Sequence, residues 1–556
     1  MENSDLLRTL GHRKASIAVM GIQNSSALRH LTALSKLLSS LVVFWLLVVT
    51  TGCASIATEA SSNTSFALSK GELKSTSLGQ LLDAHVELHP GKSGFELILN
   101  GESAFKTRAA LADASQKTLD LQYYSVGDDL TTDLLLTRIV LASQRGVRVR
   151  ILLDDVHGSA RLFARRVFAA DPRIQVRLFN PFRTSASVDL LRWGELLFDG
   201  GRLNRRMHNK LWVTDNAVAV TGSRNLADEY FSAGTVFNFY DVDLMAVGPI
   251  VRDLSNKFDA YWNSHAAVPV EALTSPPIGD EAQNLRVALA DRASNCGSMP
   301  ACSWLNDTFV LGLAQKGAGS LNWASAQLQY DEPDKAKEEV LSGIQHGSAE
   351  DFPGGARTFA ELLVISPYFI PSERGRDHLS SMRDRGVRVA VLTNSLASTD
   401  SVAAHAGYAR HRVQLLKDGV ELFETKPETR RHHLFKHRWD HGSASSLHAK
   451  VIVQDRNRAI IGSSNQDPRS RLYNTEAWIL IESKQLASEL AALFDEGSEP
   501  RHAFKLDLGN ANGREDVIWN SEEDGGRQQY VDEPISNPWQ RLWRNVLGVF
   551  IPEHLL

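Results

Sequence analysis

The sequence feature that most constrains this fold is a stretch of nineteen residues that occurs twice. MHNKLWVTDNAVAVTGSRN spans 207–225, and LHAKVIVQDRNRAIIGSSN spans 447–465. Six polar or glycine positions match between the copies, each pair separated by 240 positions (448 minus 208 for the first): His208 with His448, Lys210 with Lys450, Asp215 with Asp455, Gly222 with Gly462, Ser223 with Ser463 and Asn225 with Asn465. A single His-x-Lys carries little information, but six fixed positions that occur twice predict a duplicated unit with a chemical role.

The pattern within each copy predicts a β-hairpin. His448 and Lys450 are two residues apart in a β-branched run, so on a strand their side chains point to the same face. Asp215 and Asp455 fall in the turn-forming sequences TDNA and QDRN, and apolar residues return after each turn. The glycine that follows allows a close approach of the backbone. Hydroxyl and amide groups then supply hydrogen-bond donors for a substrate: Ser223, Asn225, Ser463 and Asn465.

The repeat extends beyond the motif and predicts two α/β domains. At 556 residues the chain is too long for one compact core. TLDLQYYSV (118–126) resembles LLVISPYFI (362–370), and RGVRVRILLDD (145–155) matches RGVRVAVLTNS (385–395). Strands that alternate with helices indicate parallel pairing. We therefore predict a first domain, an irregular insert or linker, a second domain and a C-terminal extension over 91–267, 268–351, 352–500 and 501–556.

The N-terminus predicts attachment to a membrane. No charged residue occurs between Lys36 and Glu59, and basic residues precede this apolar run. Residues 1–53 therefore form an export signal ending at Thr51-Gly52-Cys53, which looks like a bacterial lipobox with Cys53 as the lipidated residue, or an uncleaved anchor, which needs roughly 20 residues. Residues 54–90 begin with a Ser- and Thr-rich stretch and form a tether. Either alternative places the remaining chain in the cell envelope of a bacterium, facing away from the cytoplasm.

Charge and cysteine content limit the other function classes. A net charge of −5 and a pI near 6.4 argue against a dedicated nucleic-acid binder. Cys296 and Cys302 lie in one polar loop, where they form either a small disulfide or two free thiols. The segment 430–441 contains four histidines, but no carboxylate or cysteine completes a metal site at a known spacing. It is better interpreted as a basic segment before the second motif, and we expect neither a metal nor a cofactor.

The doubled pattern HxKxxxxDxxxxxxGSxN resembles the signature of the phospholipase D superfamily. Supporting stretches are GSRNLADEYF, FYDVDLMAVGPIV, NQDPRSRLYNTE and the C-terminal DEPISNPWQRLWRNVLGVFIPEHLL. The resemblance covers nearly all of the chain after the tether and is closest to bacterial cardiolipin synthases, especially the cardiolipin synthase C type. It implies two phospholipase D-like α/β sandwich domains that face each other across a pseudo-twofold axis, with one active site between them.

The resemblance also implies a role for each residue of the motif. His208 is the expected nucleophile, forming a phosphohistidine, and His448 the general acid and base, although their symmetry leaves the order open. The other side chains assigned to the site are the phosphate-binding Lys210, Lys450, Asn225 and Asn465, the donors Ser223 and Ser463, and the motif aspartates Asp215 and Asp455, which are expected to brace the hairpins. A carboxylate further along each copy should hold the second nitrogen of that copy's histidine, with Glu476 for His448 and Asp243, or else Asp241, for His208.

The function implied is that of a membrane-associated phosphatidyltransferase. It would make cardiolipin from phosphatidylglycerol and a second phospholipid, with any accessory protein left open. A phospholipase D hydrolase that releases phosphatidic acid is the close alternative, and an exported nuclease of the superfamily is a more distant one. Apolar residues recur at helical spacing over 538–556, which predicts a helix that packs on the core or lies in a membrane interface.

Overall fold

In the computed structural model of the chain, each copy of the motif folds into a tight hairpin. The first consists of β5 (Leu211–Thr214) and β6 (Val218–Gly222), which pair antiparallel. Asp215 and Asn216 in its turn both have a φ of 52°, a left-handed conformation that Asp and Asn tolerate better than most residues. The second hairpin repeats this arrangement with β15 and β16, which span Val451–Gln454 and Arg458–Gly462.

The aspartate at each turn fastens its hairpin to the start of a neighbouring strand. The Asp215 carboxylate accepts hydrogen bonds of 2.7 to 2.9 Å from three backbone N–H groups, those of Gln116, Lys117 and Thr118. The Asp455 carboxylate accepts bonds of 2.8 to 3.3 Å from the N–H groups of Phe359, Ala360 and Glu361. Both motif aspartates therefore brace their hairpins against a neighbouring strand, as predicted.

The structure describes residues 64–156, 158–182, 195, 199–294, 300–304, 317–336, 358–427, 444–511, 514–523 and 526–556. Cys53, the apolar N-terminal run, the basic segment 430–441 and Cys296 lie outside these ranges. Cys302 is disulfide-bonded. Within these ranges we find no helix that combines the length and the apolar character needed to span a bilayer.

The first half of the described chain forms a mixed sheet with the strand order β9-β4-β3-β2-β5-β6-β8-β1. β2, β3 and β4 run parallel to one another, and the other pairs are antiparallel. The bounds not yet given are β1 Ser93–Ile98, β2 Thr118–Tyr123, β3 Arg148–Asp154, β4 Gln175–Phe179, β7 Phe237–Tyr240, β8 Asp243–Val247 and β9 Ala267–Pro269.

The second half repeats this order as β18-β13-β12-β11-β15-β16-β17 and then adds two strands beyond β18. The added strands belong to the predicted C-terminal extension. The bounds are β10 Asn322–Tyr330, β11 Glu361–Ile365, β12 Arg388–Asn394, β13 Glu421–Thr425, β14 Ala444–Leu447, β17 Ala477–Glu482, β18 Ala503–Ala511, β19 Arg514–Glu523 and β20 Gly526–Tyr530.

Strand β10 joins the two sheets. It pairs antiparallel with β1 through Asn322 to Ala324 and with β17 through Ser325 to Tyr330, so 18 of the 20 described strands form one sheet, and β7 and β14 form a separate pair. β10 occupies beside β17 the place that β1 occupies beside β8, which puts the pseudo-twofold axis between β1 and β10. We expected 268–351 to decorate the core as an insert, but β10 makes part of it the equivalent of β1. The sequence of β10 mixes polar and apolar residues, so it did not indicate a strand of the central sheet.

Helices pack against the sheet, which confirms the predicted α/β class. Buried residues form one large apolar cluster in each half, and a third large cluster contains residues from both halves, including the helices α6 and α13. The helices are α1 Lys70–Leu73, α2 Ser77–Leu88, α3 Gly101–Ala114, α4 Leu130–Gln144, α5 Ser159–Ala170, α6 Pro249–Trp262, α7 Gly279–Ser294, α8 Pro300–Trp304, α9 Glu373–Asp384, α10 Val402–Ala409, α11 Arg412–Lys417, α12 Pro468–Leu472, α13 Lys484–Gly497 and α14 Pro538–Phe550.

Candidate active site

The backbone before each motif histidine is bonded to the opposite half of the chain. β14 pairs parallel with β7 up to Leu447 and Tyr240, and the His448 N–H then donates to the Tyr240 carbonyl at 2.8 Å. In the equivalent place, the His208 N–H donates to the Thr475 carbonyl at 2.9 Å. We predicted that both histidines lie on strands of the hairpins. They lie instead in the extended segments just before β5 and β15, because these segments pair across the pseudo-twofold axis.

This pairing brings each histidine against a carboxylate of the other half. His208 Nδ1 lies 3.0 Å from both oxygens of Glu476, which follows Thr475. His448 Nδ1 lies 2.6 Å from Asp241 Oδ1, which follows Tyr240. The prediction that Glu476 holds the histidine of its own copy is therefore wrong. All four side chains are buried, so the two halves complete one composite site.

Asp243, the first-choice partner for His208, does not contact a histidine. Its carboxylate is buried between Arg108, at 2.8 Å, and Arg224, at 3.4 Å. Asp243 begins β8, where its side chain faces these two cations, whereas Asp241 lies in the segment that passes His448. The alternative residue Asp241 therefore takes the carboxylate position, although beside His448 and not His208.

The motif serines are engaged within the protein. The Ser223 hydroxyl donates to the Val242 carbonyl at 3.2 Å and accepts from the Val242 N–H at 3.1 Å. The Ser463 hydroxyl donates to Glu476 Oε2 at 2.5 Å and accepts from the Ala477 N–H at 3.0 Å. A hydroxyl has one proton to donate, so neither serine is the substrate donor that we predicted. Ser463 positions Glu476, and Ser223 fastens the segment that carries Asp241.

The two motif asparagines differ in what they bond. Asn225 Oδ1 accepts from the Ser125 N–H at 3.3 Å, and its side chain also bonds to the Tyr230 hydroxyl. Asn465 Oδ1 is buried and has no partner among the described residues. Asn465 also lines a cavity of about 540 Å³ together with Lys450, Asp467, Glu476 and other residues. The cavity therefore reaches Lys450 and Glu476 in the second half of the site, although neither motif histidine lines it.

Two buried lysines supply the positive charge of the site. Lys210 Nζ donates to the His208 carbonyl at 2.6 Å, and Lys450 Nζ donates to the His448 carbonyl at 2.5 Å. Burial lowers the pKa of Lys210 to about 7, with a further lowering by Lys450, and burial lowers the pKa of Lys450 to about 8. An anion bound between them would restore their full protonation, so the site favours an anionic ligand.

The site keeps its histidines neutral and its carboxylates charged. Burial lowers the pKa of His208 to about 4 and also lowers the pKa of His448, in both cases against the attraction of the carboxylate. Burial opposes ionisation of Glu476 and Asp241, but the contacts with His208 and His448 outweigh it, so both pKa values are lowered. With a charged carboxylate at Nδ1, each neutral imidazole carries its proton on Nδ1 and leaves the Nε2 lone pair available.

Aromatic rings restrain the two imidazoles. The ring of Tyr124 packs edge-on against His208 at 4.9 Å between centroids and lies 5.4 Å from Lys210 Nζ. The rings of Tyr230 and Phe239 contact His448 at 5.4 and 4.8 Å. Sequence reasoning did not assign these residues to the site, although Tyr230 and Phe239 lie in stretches that supported the resemblance and Tyr124 lies in a stretch that supported the repeat.

A further pair missed from the sequence anchors the backbone before each histidine. Asp154, the last residue of β3, accepts the Met207 N–H at 2.8 Å. Asn394, the last residue of β12, accepts the Leu447 N–H at 3.0 Å and donates to the Leu447 carbonyl at 2.8 Å. Both positions fall in the repeated RGVRV stretches and are 240 residues apart (394 minus 154), so the repeat itself carried the signal. In the described part of the chain, no cluster of three or more His, Cys, Asp or Glu is placed to hold a metal.

Comparison with known proteins agrees with the two halves of the structure. The chain matches the family described as "Cardiolipin synthase, PLD-like domain" over residues 109–262 and 356–497. It is 36% identical over 482 residues to cardiolipin synthase C of Escherichia coli strain K12, which covers 84% of this chain and 97% of that protein. It is 24% identical over 412 residues to cardiolipin synthase A of Pseudomonas entomophila strain L48, which covers 73% of this chain and 69% of that protein.

A solved structure shares the fold. The phosphatidylserine synthase of Haemophilus influenzae Rd KW20 superposes with a TM-score of 0.51 over 77% of this chain and 92% of that chain. At 12% sequence identity, this similarity concerns the fold alone.

The lowered pKa of His208 predicts an acid-dependent loss of stability. Below pH 6.5 the unfolded chain protonates this histidine, whereas the folded chain does so only near pH 4, so stability falls with pH between these values. From pH 7 to pH 5, the free energy of unfolding should fall by about 2 kcal/mol more in the wild type than in His208→Gln. Urea unfolding at both pH values measures the difference, and an equal fall in the two proteins would contradict it.

Proposed function

The chain belongs to the PLD-like cardiolipin synthase family, and from this premise we propose that it is a phosphatidyltransferase that makes cardiolipin. It would transfer the phosphatidyl group of a donor such as phosphatidylglycerol to a hydroxyl of a second phospholipid. The observation that carries the proposal is the pair of crossed contacts, His208 with Glu476 and His448 with Asp241. With both Nδ1 atoms held by carboxylates, each histidine has its Nε2 atom free to act. Displacement at phosphorus needs two such groups, a nucleophile and an acid for the leaving alcohol.

The proposed reaction has two displacements. Nε2 of the neutral His208 imidazole attacks phosphorus as the nucleophile. The bond to the leaving alcohol breaks, and His448 donates its Nε2 proton to that alkoxide oxygen. The product is a phosphohistidine. His448 then takes the proton from the hydroxyl of the second lipid, whose oxygen attacks phosphorus and releases His208. Binding of the anionic phosphodiester raises the pKa of His448, which lets it enter the cycle as an acid.

Positive charge and amide donors stabilise the pentacoordinate phosphorus in this proposal. Lys210 and Lys450 are buried on the two sides of the pseudo-twofold axis, and each lowers the pKa of the other half's histidine, which places both charges close to the reaction centre. The Asn465 side chain lines the cavity and can donate its N–H to a non-bridging oxygen. Fixed donors and charges of this kind supply the largest part of many rate enhancements.

The reaction product distinguishes the transferase from its alternative, a hydrolase in which water replaces the second lipid. Purified protein added to phosphatidylglycerol vesicles should release glycerol and form cardiolipin, as measured by lipid mass spectrometry. His448→Gln, which keeps the size but not the acid–base function, serves as the negative control. Phosphatidic acid as the sole lipid product would instead establish the hydrolase, and comparable cleavage of DNA would support a nuclease.

The crossed contacts predict which carboxylate serves which step. An activated aryl phosphodiester has a good leaving group, so the acid contribution of ~10²–10⁴-fold matters little and only attack by His208 is needed. His448→Ala and Asp241→Asn should therefore still acquire an acid-labile phosphate label, and His208→Ala should not. Glu476→Gln should slow the burst of aryl alcohol by about 10²-fold or more, because a neutral amide no longer supplies the negative charge that orients His208 and stabilises the positive charge its ring gains on attack.

The matched variants make this outcome diagnostic. Label on His448 in the His208→Ala protein would reverse the order of the histidines. If His208 carries the label but Asp241→Asn slows the burst and Glu476→Gln does not, the crossed pairing is wrong. Absence of label from the wild type would contradict the covalent route.

We also propose that the protein is attached to a membrane of the bacterial envelope, with its catalytic part facing away from the cytoplasm. The support is the uncharged run between Lys36 and Glu59, its basic flank and Cys53. Cys53→Ser should abolish incorporation of a labelled fatty acid and signal cleavage. A wild-type protein that is membrane-bound without acyl label would indicate an uncleaved anchor instead.

A further inference from the structure

The C-terminal helix α14 exposes its apolar side and turns its polar side towards the protein, the reverse of an ordinary surface helix. Five apolar side chains form one stripe at helical spacing, and each is between 50% and 77% exposed: Trp539, Leu542, Trp543, Val549 and Phe550. Val531 and Ile535, which precede the helix in the chain, and Leu555, which follows it, are also exposed. An exposed patch of this size on a folded protein indicates a surface that is covered in use.

The polar side of the same helix faces the protein. Arg544 Nη1 bonds to Glu533 Oε1 at 2.9 Å, and Arg541 Nη2 donates to the Glu533 carbonyl at 3.1 Å. Glu533 is only 4% exposed and also pairs with Arg412 of α11 at 2.6 Å. Because these charged contacts hold the polar side inward, the apolar stripe cannot turn towards the core. Its exposure is therefore built into the fold.

The helix lies beside the second catalytic motif. Gln540 donates to the Leu396 carbonyl at 3.4 Å, two residues after the Asn394 that anchors the backbone before His448. After the helix, the Leu556 carbonyl accepts the N–H of Arg469, which belongs to α12 and follows Asn465 by four positions. Gln540 and Leu556 thus attach the helix and the residues after it to two of the segments that frame the candidate active site.

We propose that α14 lies in the headgroup and acyl boundary of an anionic phospholipid bilayer and so holds the catalytic opening against the lipid surface. The inference rests on the proposed function, in which the substrate is a bilayer lipid. Tryptophan is favoured at this depth, and the exposed Arg410, which donates to the Ile551 carbonyl at 2.8 Å, adds a cation at the end of the helix. This attachment is distinct from any N-terminal anchor, because it fixes the orientation of the site.

The first test separates surface attachment from chemistry. The full-length Trp539→Gln/Trp543→Gln protein should lose about tenfold or more of its transfer rate on phosphatidylglycerol vesicles, because it loses two large interfacial side chains. Its burst with the soluble aryl phosphodiester should equal that of the wild type. Leu88→Gln, which removes an exposed apolar residue from α2, is the matched control and should change neither rate. Unchanged vesicle rates, or equal losses on both substrates, would overturn the proposal.

The second test does not depend on the reaction. A fluorescent label on Trp543→Cys should be quenched by phospholipids spin-labelled near the headgroup, with labelled wild type as the background. A label that stays exposed to water, or is shielded without lipid quenching, would overturn the proposal and show that solvent, another segment or a second copy meets this face. If the wild type forms no cardiolipin but the label is quenched, the proposed function fails and the membrane surface stands.

Discussion

The arrangement of this protein depends on two reciprocal contacts, in which each motif histidine is held by a carboxylate of the opposite half. His208 meets Glu476 and His448 meets Asp241, each next to a backbone hydrogen bond that also crosses between the halves. Neither half alone contains a histidine with its carboxylate. Duplication has therefore produced one composite site and not two separate ones, and an apolar cluster that contains residues of both halves packs them together.

Burial then determines the electrostatics of this site. Removing Lys210 and Lys450 from water lowers their pKa values into the neutral range, and a bound phosphodiester recovers the energy of full protonation. The same burial lowers the pKa of His208 and keeps the imidazole neutral, as the proposed role of nucleophile requires. On α14 a buried carboxylate has a different effect, because Glu533 holds Arg541 and Arg544 against the protein and leaves the apolar side of the helix exposed. A charged site for the headgroup, together with an exposed apolar helix for the bilayer, suits the proposed lipid substrate.

Sequence reasoning succeeded where the information was local. The turn residues Asp215 and Asp455, the hairpins and the α/β class follow from spacing of a few residues, and the repeat offset identified the matching halves. It failed for contacts that depend on tertiary pairing. Gly222 precedes Asp241 by 19 positions but Gly462 precedes Glu476 by 14, so spacing could not show that the carboxylates cross. The roles of Ser463 and β10 were hidden likewise, because partners on distant segments determine them.

The central claim is that both histidines act on one phosphorus atom from opposite sides. A crystal structure with orthovanadate, which adopts the five-coordinate geometry of the reacting phosphate, tests it most directly. We expect vanadium bonded to Nε2 of one histidine, with Nε2 of the other hydrogen-bonded to the opposite apical oxygen and both lysines at equatorial oxygens. Vanadate held by the side chains of one half alone, with the second imidazole directed elsewhere, would contradict the composite site.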